Sequence, residues 1–110
     1  MKAKKELEDK GYLVARAMAS SRKTGNIYIT KYNDFFHVFD LIAVKDNEVR
    51  LIQVTSGSGL SSHKKKILDN FPYVFDSVVS VEIWYYYKMG RVWKYKILYL
   101  KRGEWLESKL

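Results

Sequence analysis

The chain contains no cysteine, which excludes disulfides and any thiolate-held zinc site. Its two histidines, His37 and His63, are too few for a histidine-rich metal centre. No apolar run reaches the length of a membrane span. The opening MKAKKELEDK is charged and lacks an apolar core, so it does not read as a secretion signal. A cytoplasmic, soluble protein is therefore expected. Acidic residues are in short supply: twelve Asp+Glu face twenty Lys+Arg, a formal net charge of +8. In so small a chain that imbalance is the electrostatic footprint of a polyanion partner, nucleic acid foremost. The same charge also serves solubility. A membrane surface is the weaker rival, because no basic amphipathic helix is visible. There is no internal repeat and no low-complexity segment.

What is present fits one folded domain, residues 1–110. The mass is 13.0 kDa, which leaves no length for a second core. Hydrophobic residues make up 47%, an ordinary share for a globular chain and too high for a disordered one. Aromatic residues reach 15%, nine of them tyrosines. Such side chains bury large areas and also stack on bases.

Residues 2–10 are rich in helix formers and are followed by Gly11, which predicts a short helix with a glycine stop. YLVARAM, 12–18, has the apolar content of a buried strand, with Arg16 its one charge. ASSRKTGN, 19–26, is small, polar and basic, and reads as loop. NIYITKY has the composition of a strand but runs into Asn33 and Asp34, and it is not counted in the expected order. FHVFDLIAV and EVRLIQVT flank Lys45-Asp46-Asn47 and predict a hairpin. Val38, Ile42 and Val44 fall on one face of its first strand, and Phe39, Leu41 and Ala43 on the other. Strands apolar on both sides belong in the middle of a sheet covered on both sides. After SGSGLSS, the spacing of Leu60, Lys64, Ile67, Leu68 and Phe71 predicts a helix over 61–71, with Pro72 just beyond its end. SVVSVEIWYYY and RVWKYKILYL then predict two long strands around Lys88-Met89-Gly90-Arg91, the second with one wet face. The expected order is α-β-β-β-α-β-β, an α/β fold with a mixed sheet flanked by helices.

Two blocks are specific enough to carry a resemblance. GYLVARAMASS, 11–21, resembles the Gly-aromatic-x-Val-x-Arg-Ala-x-Ala-Ser stretch of the archaeal Holliday junction resolvases. DLIAVKDNEVRLIQVT looks like their Asp-(Ile/Leu)-Ile-Ala…Leu-Ile-Glu-x-Lys hairpin at the same spacing. Together they span Gly11 to about Gly57. The parent group is the PD-(D/E)XK nucleases, so the resemblance implies a restriction-endonuclease-like sheet whose central hairpin presents an aspartate, a glutamate and a lysine at one edge. It further implies a homodimer that cuts branched or double-stranded DNA with Mg2+ or Mn2+. In such a site carboxylates hold the cation, the cation activates water and polarises the phosphate, and the lysine stabilises developing charge.

Carried over residue by residue, Asp40 matches the aspartate and Gln53 the glutamate, with the carbonyl of Val54 as a further metal ligand. Ser20 matches a serine beside the site, preceded by Arg16. Gln53 keeps an oxygen but loses a charge, and Thr55 stands where the lysine belongs. Phe39 stands where a proline often precedes the aspartate. Lys64, on the otherwise apolar stripe of the following helix, is the candidate replacement for the lysine, although a lysine there also covers apolar surface with its stem. Asp34 or Glu6 is the candidate second carboxylate. Arg16, Arg22, Lys23, Lys64, Lys65 and Lys66 are candidate phosphate contacts.

Each of these residues also has a purely structural use. Asp40 in an apolar strand requires a metal, a partner or an exposed strand end, and an ion pair with Arg16 would serve. Gln53 in a buried strand is commonly a satisfied amide, and basic runs are commonly solvated faces. His63 reads as a surface residue or a helix-start contact. The set Trp84, Tyr85, Tyr86, Tyr87, Trp93, Tyr95 and Tyr99 reads as core or a protein interface. Three functions follow: a structure-specific metal-dependent endonuclease, a relative that binds DNA without cutting it, and a protein-interaction module.

Overall fold

In a computed structural model the chain is described over residues 2–25, 27–32, 34–36, 38–73 and 78–108, with 19–24 and 27–32 described by their backbone. Helix α1, Lys2–Asp9, buries Ala3 and Leu7. It ends on Gly11 at φ 92°. The Gly11 amide donates to the Glu8 carbonyl and the Tyr12 amide to Leu7, the paired capping bonds that a left-handed glycine permits.

The strands that follow are β1 (Leu13–Arg16), β2 (Ala19–Thr24), β3 (Ile27–Tyr32), β4 (Leu41–Lys45) and β5 (Glu48–Ser56). A single 3-10 turn, Gly57–Gly59, leads into α2 (Leu60–Asn70), and β6 (Val79–Met89), β7 (Val92–Lys101) and β8 (Glu104–Ser108) complete the fold. Six strands form one sheet in the order β1-β4-β5-β6-β7-β8, and β2 and β3 form a separate two-stranded ribbon. All neighbours are antiparallel except β5 and β6. That pair is parallel because the intervening α2 carries the chain back across the sheet.

The mixed α/β architecture with two helices agrees with the sequence reading, but the element order does not. ASSRKT, expected as loop, is strand β2. Its strand character comes from pairing with β3, from Ala19↔Tyr32 to Thr24↔Ile27, rather than from an apolar pattern. GEWLES adds β8, which pairs with β7 across a two-residue turn, Arg102-Gly103. Both turn residues have positive φ, 50° and 82°, as the tightest hairpin turns require. The β4–β5 connection is also two residues, since Lys45 pairs with Glu48.

The sheet is covered on both sides. On the α1 face Ala3, Leu7, Tyr12, Leu41, Ala43, Ile52, Trp84 and Ile97 pack together. On the α2 face Val38, Phe39, Leu51, Ile67, Phe71, Val81, Ile83 and Leu98 do so. Phe39 therefore joins Val38 rather than Leu41 and Ala43, because β4 does not begin until Leu41 and the chain bends at Asp40. β1 also differs from expectation. It is an edge strand, with Leu13 75% exposed and only Val14 packed against the core. In β7, Ile97 and Leu98 are both buried, so exposure is confined to the two ends of the strand, residues 92–94 and Lys101. Among the described residues no helix is long and apolar enough to cross a membrane.

Candidate functional site

β5 outruns β4 at one end of the sheet. β4 pairs with β5 only from Leu41↔Ile52 onward, so Gln53–Ser56 have a ladder partner on the β6 side alone. A backbone amide on the open side then needs another acceptor. Asp40 supplies it: the Val54 amide donates to Asp40 Oδ2 at 2.8 Å. The backbone of Asp40 is itself fixed, its amide donating to the Ile52 carbonyl and its carbonyl accepting from Ala17, each at 2.8 Å.

A second carboxyl arrives by a different route. Phe35 and Phe39 form an antiparallel bridge, with the two amides donating reciprocally to the two carbonyls at 2.8 and 2.9 Å. Phe36 turns the chain between them at φ 52°. An antiparallel bridge sets the residue before one member beside the residue after the other. Asp34 consequently lies next to Asp40, close enough to act on its carboxyl. Burial pushes the Asp40 carboxyl above its ordinary range, the bond from Val54 pulls it down, Asp34 pushes it up by its charge, and the His63 charge draws it down.

The remaining members come from β5 and α2. Gln53 Nε2 donates to the Val54 carbonyl at 3.2 Å, so Asp40 and Gln53 converge on the amide and the carbonyl of one residue. Thr55 is 3% exposed, and its hydroxyl is hydrogen-bonded to His63 Nδ1 on the first turn of α2. The rim thus holds two carboxyls, a primary amide, a backbone carbonyl and an imidazole anchored by a threonine.

The other candidates are placed as follows. Lys64 is half-buried on α2, one position past His63, and Lys65 and Lys66 are exposed. Arg16 is exposed at the end of β1. It pairs in register with Leu41, yet no ion pair joins it to Asp40 among the described residues. Ser20, Arg22 and Lys23 lie on β2, where the backbone alone is described. Glu6 is not part of the rim: it sits on α1 and accepts a hydrogen bond from Tyr95, across the sheet from α2. Of the two candidate second carboxylates, Asp34 is the one beside Asp40.

Two features escaped the sequence reading. His63 reads from the sequence only as a surface residue or a helix-start contact, which does not foresee its bond to the buried Thr55. The other is a buried ion pair on the α1 face. Arg50 Nη1 donates to both oxygens of Glu82, at 3.0 and 3.2 Å, and Trp84 Nε1 donates to Glu82 at 2.9 Å. Arg50 Nε donates to the Tyr12 hydroxyl, which donates onward to Glu48. The signal was two lone charges of opposite sign inside apolar runs, EVRLIQV and VVSVEIW. A scan of family models and a search of curated proteins found no match to this chain.

Proposed function

We propose that the chain is a nuclease-fold, DNA-binding protein that works in the cytoplasm as a homodimer on branched or double-stranded DNA, with Asp40 and Asp34 as the acids of a divalent-metal site. The observation that carries this reading is the Asp34–Asp40 pair at the end of β4, beside the strand that bears Gln53 and Val54. The antiparallel set β1-β4-β5 followed by α2 and the parallel β6 supports it, with the β2–β3 ribbon and β8 additional to the expected order. The charge of +8 supports it as well.

The donor chemistry fits Mg2+ or Mn2+. Two carboxyls and the oxygens of Gln53 and Val54 are hard ligands, and Mg2+ commonly takes one or two carboxylates and keeps its waters. Two carboxyls side by side repel when both are charged, which favours a cation between them. When bound there, the cation supplies Lewis-acid polarisation of a phosphate and a more acidic water. Asp40 stays oriented through its Val54 bond, and Asp34 restores the negative charge that Gln53 lacks. Cleavage of a four-way junction with Mg2+ or Mn2+ tests the reading. Wild type should cut, Asp40→Ala should not, and Asp34→Asn should need more metal. An equally active Asp40→Ala protein removes the enzyme reading.

A second reading, binding without cleavage, is favoured by the bond from Gln53 to the Val54 carbonyl and by Thr55 in the place of a lysine. Loss of one preorganised donor typically costs on the order of a hundred- to a thousandfold in rate. This reading predicts junction binding with no cleavage in either metal. For about five phosphate contacts, log affinity against log salt should have a slope near about −4.5. A flat salt dependence excludes both readings.

A further inference from the structure

The β6–β7 hairpin extends past its neighbours. β5 ends opposite it at Ser56↔Tyr86, and β8 reaches no further along β7 than Ile97. Tyr87–Met89 and Val92–Lys94 therefore pair only with each other. At ~3.3 Å per residue, the turn at Gly90 stands roughly 13 Å beyond the last rung of β5. Because β5 and β6 are parallel, this ribbon projects from the same end of the sheet as Gln53, Val54 and Asp40.

Its composition is unusual for an exposed tip. Met89, Val92 and Trp93 are 56%, 59% and 55% exposed. Between Glu82 and Glu104 the sequence holds six Lys and Arg and no acid. Lys88 pairs in register with Trp93 and places its ammonium 6.0 Å from the ring centroid. Between the ribbon and the start of α1 runs a groove of ≈ 380 Å³ whose lining includes Lys2, Val54, Ser56, Tyr86 and Trp93. The Tyr86 hydroxyl is buried with no hydrogen-bond partner among the described residues, and burial with the nearby Glu6 and Tyr95 pushes its pKa up to about 12.

We propose that this ribbon and groove receive an unstacked base at a DNA branch or bulge, with Trp93 as the stacking platform and Lys88, Arg91 and Lys94 on the flanking phosphates. The proposal rests on the DNA-binding reading above and adds how a branch is told from a plain duplex. Exposed aromatic rings among cations suit single-stranded nucleotides, because every base has a face to stack and a phosphate beside it. A second copy of the chain fits less well, since a symmetric contact would bring two acid-free cationic tips together.

The test compares binding of a duplex carrying a one-nucleotide bulge with that of the same uninterrupted duplex, by fluorescence anisotropy. Trp93→Ala should weaken the bulged complex by roughly 5- to 150-fold and leave the plain duplex within about twofold, while Trp93→Phe retains most of the preference. A K88Q/R91Q/K94Q triple variant should weaken both complexes and flatten the salt slope by about 2.7. Equal loss on both DNAs from Trp93→Ala, or no loss on either, overturns the proposal and leaves DNA binding standing. A wild-type dimer that Trp93→Ala dissolves, with DNA affinity unchanged, also overturns it and gives this face to self-association. Absence of any wild-type DNA binding overturns the proposal and the DNA reading together.

Discussion

The two sides of β5 handle buried charge in opposite ways. On the α1 side Arg50 and Glu82 are matched in sign, and Trp84 and Tyr12 take up remaining hydrogen-bonding capacity. At the rim on the other side, Asp34 and Asp40 are matched in kind, and burial and the neighbouring Asp34 push the Asp40 carboxyl up. An opposite-sign pair that is well hydrogen-bonded can belong wholly to the architecture. A like-sign pair raises the free energy of the charged state and suits a site that waits for a cation. The difference separates a polar cluster that supports the fold from one that offers chemistry.

Removing one partner from each cluster should give unequal losses. Glu82→Ala leaves Arg50, whose side chain is 19% exposed, as a half-buried cation without its carboxylate. It should cost about 3–5 kcal/mol, read as a lower urea midpoint at unchanged m-value. A loss below about 1 kcal/mol would mean that water reaches Arg50 and that the contrast between the faces is false.

The rim should show itself in pH dependence. The folded Asp40 carboxyl holds its proton more tightly than the unfolded one, so the folded state gains stability below the unfolded value near ~4. That gain is lost as pH rises through the raised folded value. Asp40→Asn keeps an acceptor for the Val54 amide and should flatten stability over this window. Asp34→Asn removes the second acid but not the burial, and should narrow the window without closing it. Chemical denaturation at a series of pH values measures both.

Smaller effects complete the series. Thr55→Val preserves shape and removes the hydroxyl bonded to His63, for a loss of about 1 kcal/mol in unfolding free energy. Lys4→Ala breaks the exposed 3.2 Å pair with Glu8 on α1 and should change thermal stability by no more than about 0.5 kcal/mol. If Lys4 matters more than Thr55, the ranking by burial is wrong.

Much of the framework was legible because its signals are local. The glycine after α1, the apolar stripe of α2, and the two apolar runs of β4 and β5 each depend on neighbours in sequence. β2 was not legible, since Ser20, Ser21, Arg22 and Lys23 give no alternation and are strand only through β3. The exposure of β1 was hidden for a related reason: LVA reads the same at the edge of a sheet as at its centre. Asp34 had no local pattern of its own either, because its position depends on the Phe35–Phe39 bridge two residues before β4. Arg50 and Glu82 were visible as lone charges, yet their pairing required the register of β5 against β6.

The single bond from the Val54 amide to Asp40 makes that amide a reporter of the carboxyl. While Asp40 holds its place, deuterium should enter this position slowly although no β4 residue covers it. Displacing the acid, by substitution or by anything that draws it away from the strand, should speed isotope uptake at Val54 while its neighbours bonded to β6 stay protected. The state of the rim can then be followed residue by residue in solution, with no substrate and no turnover.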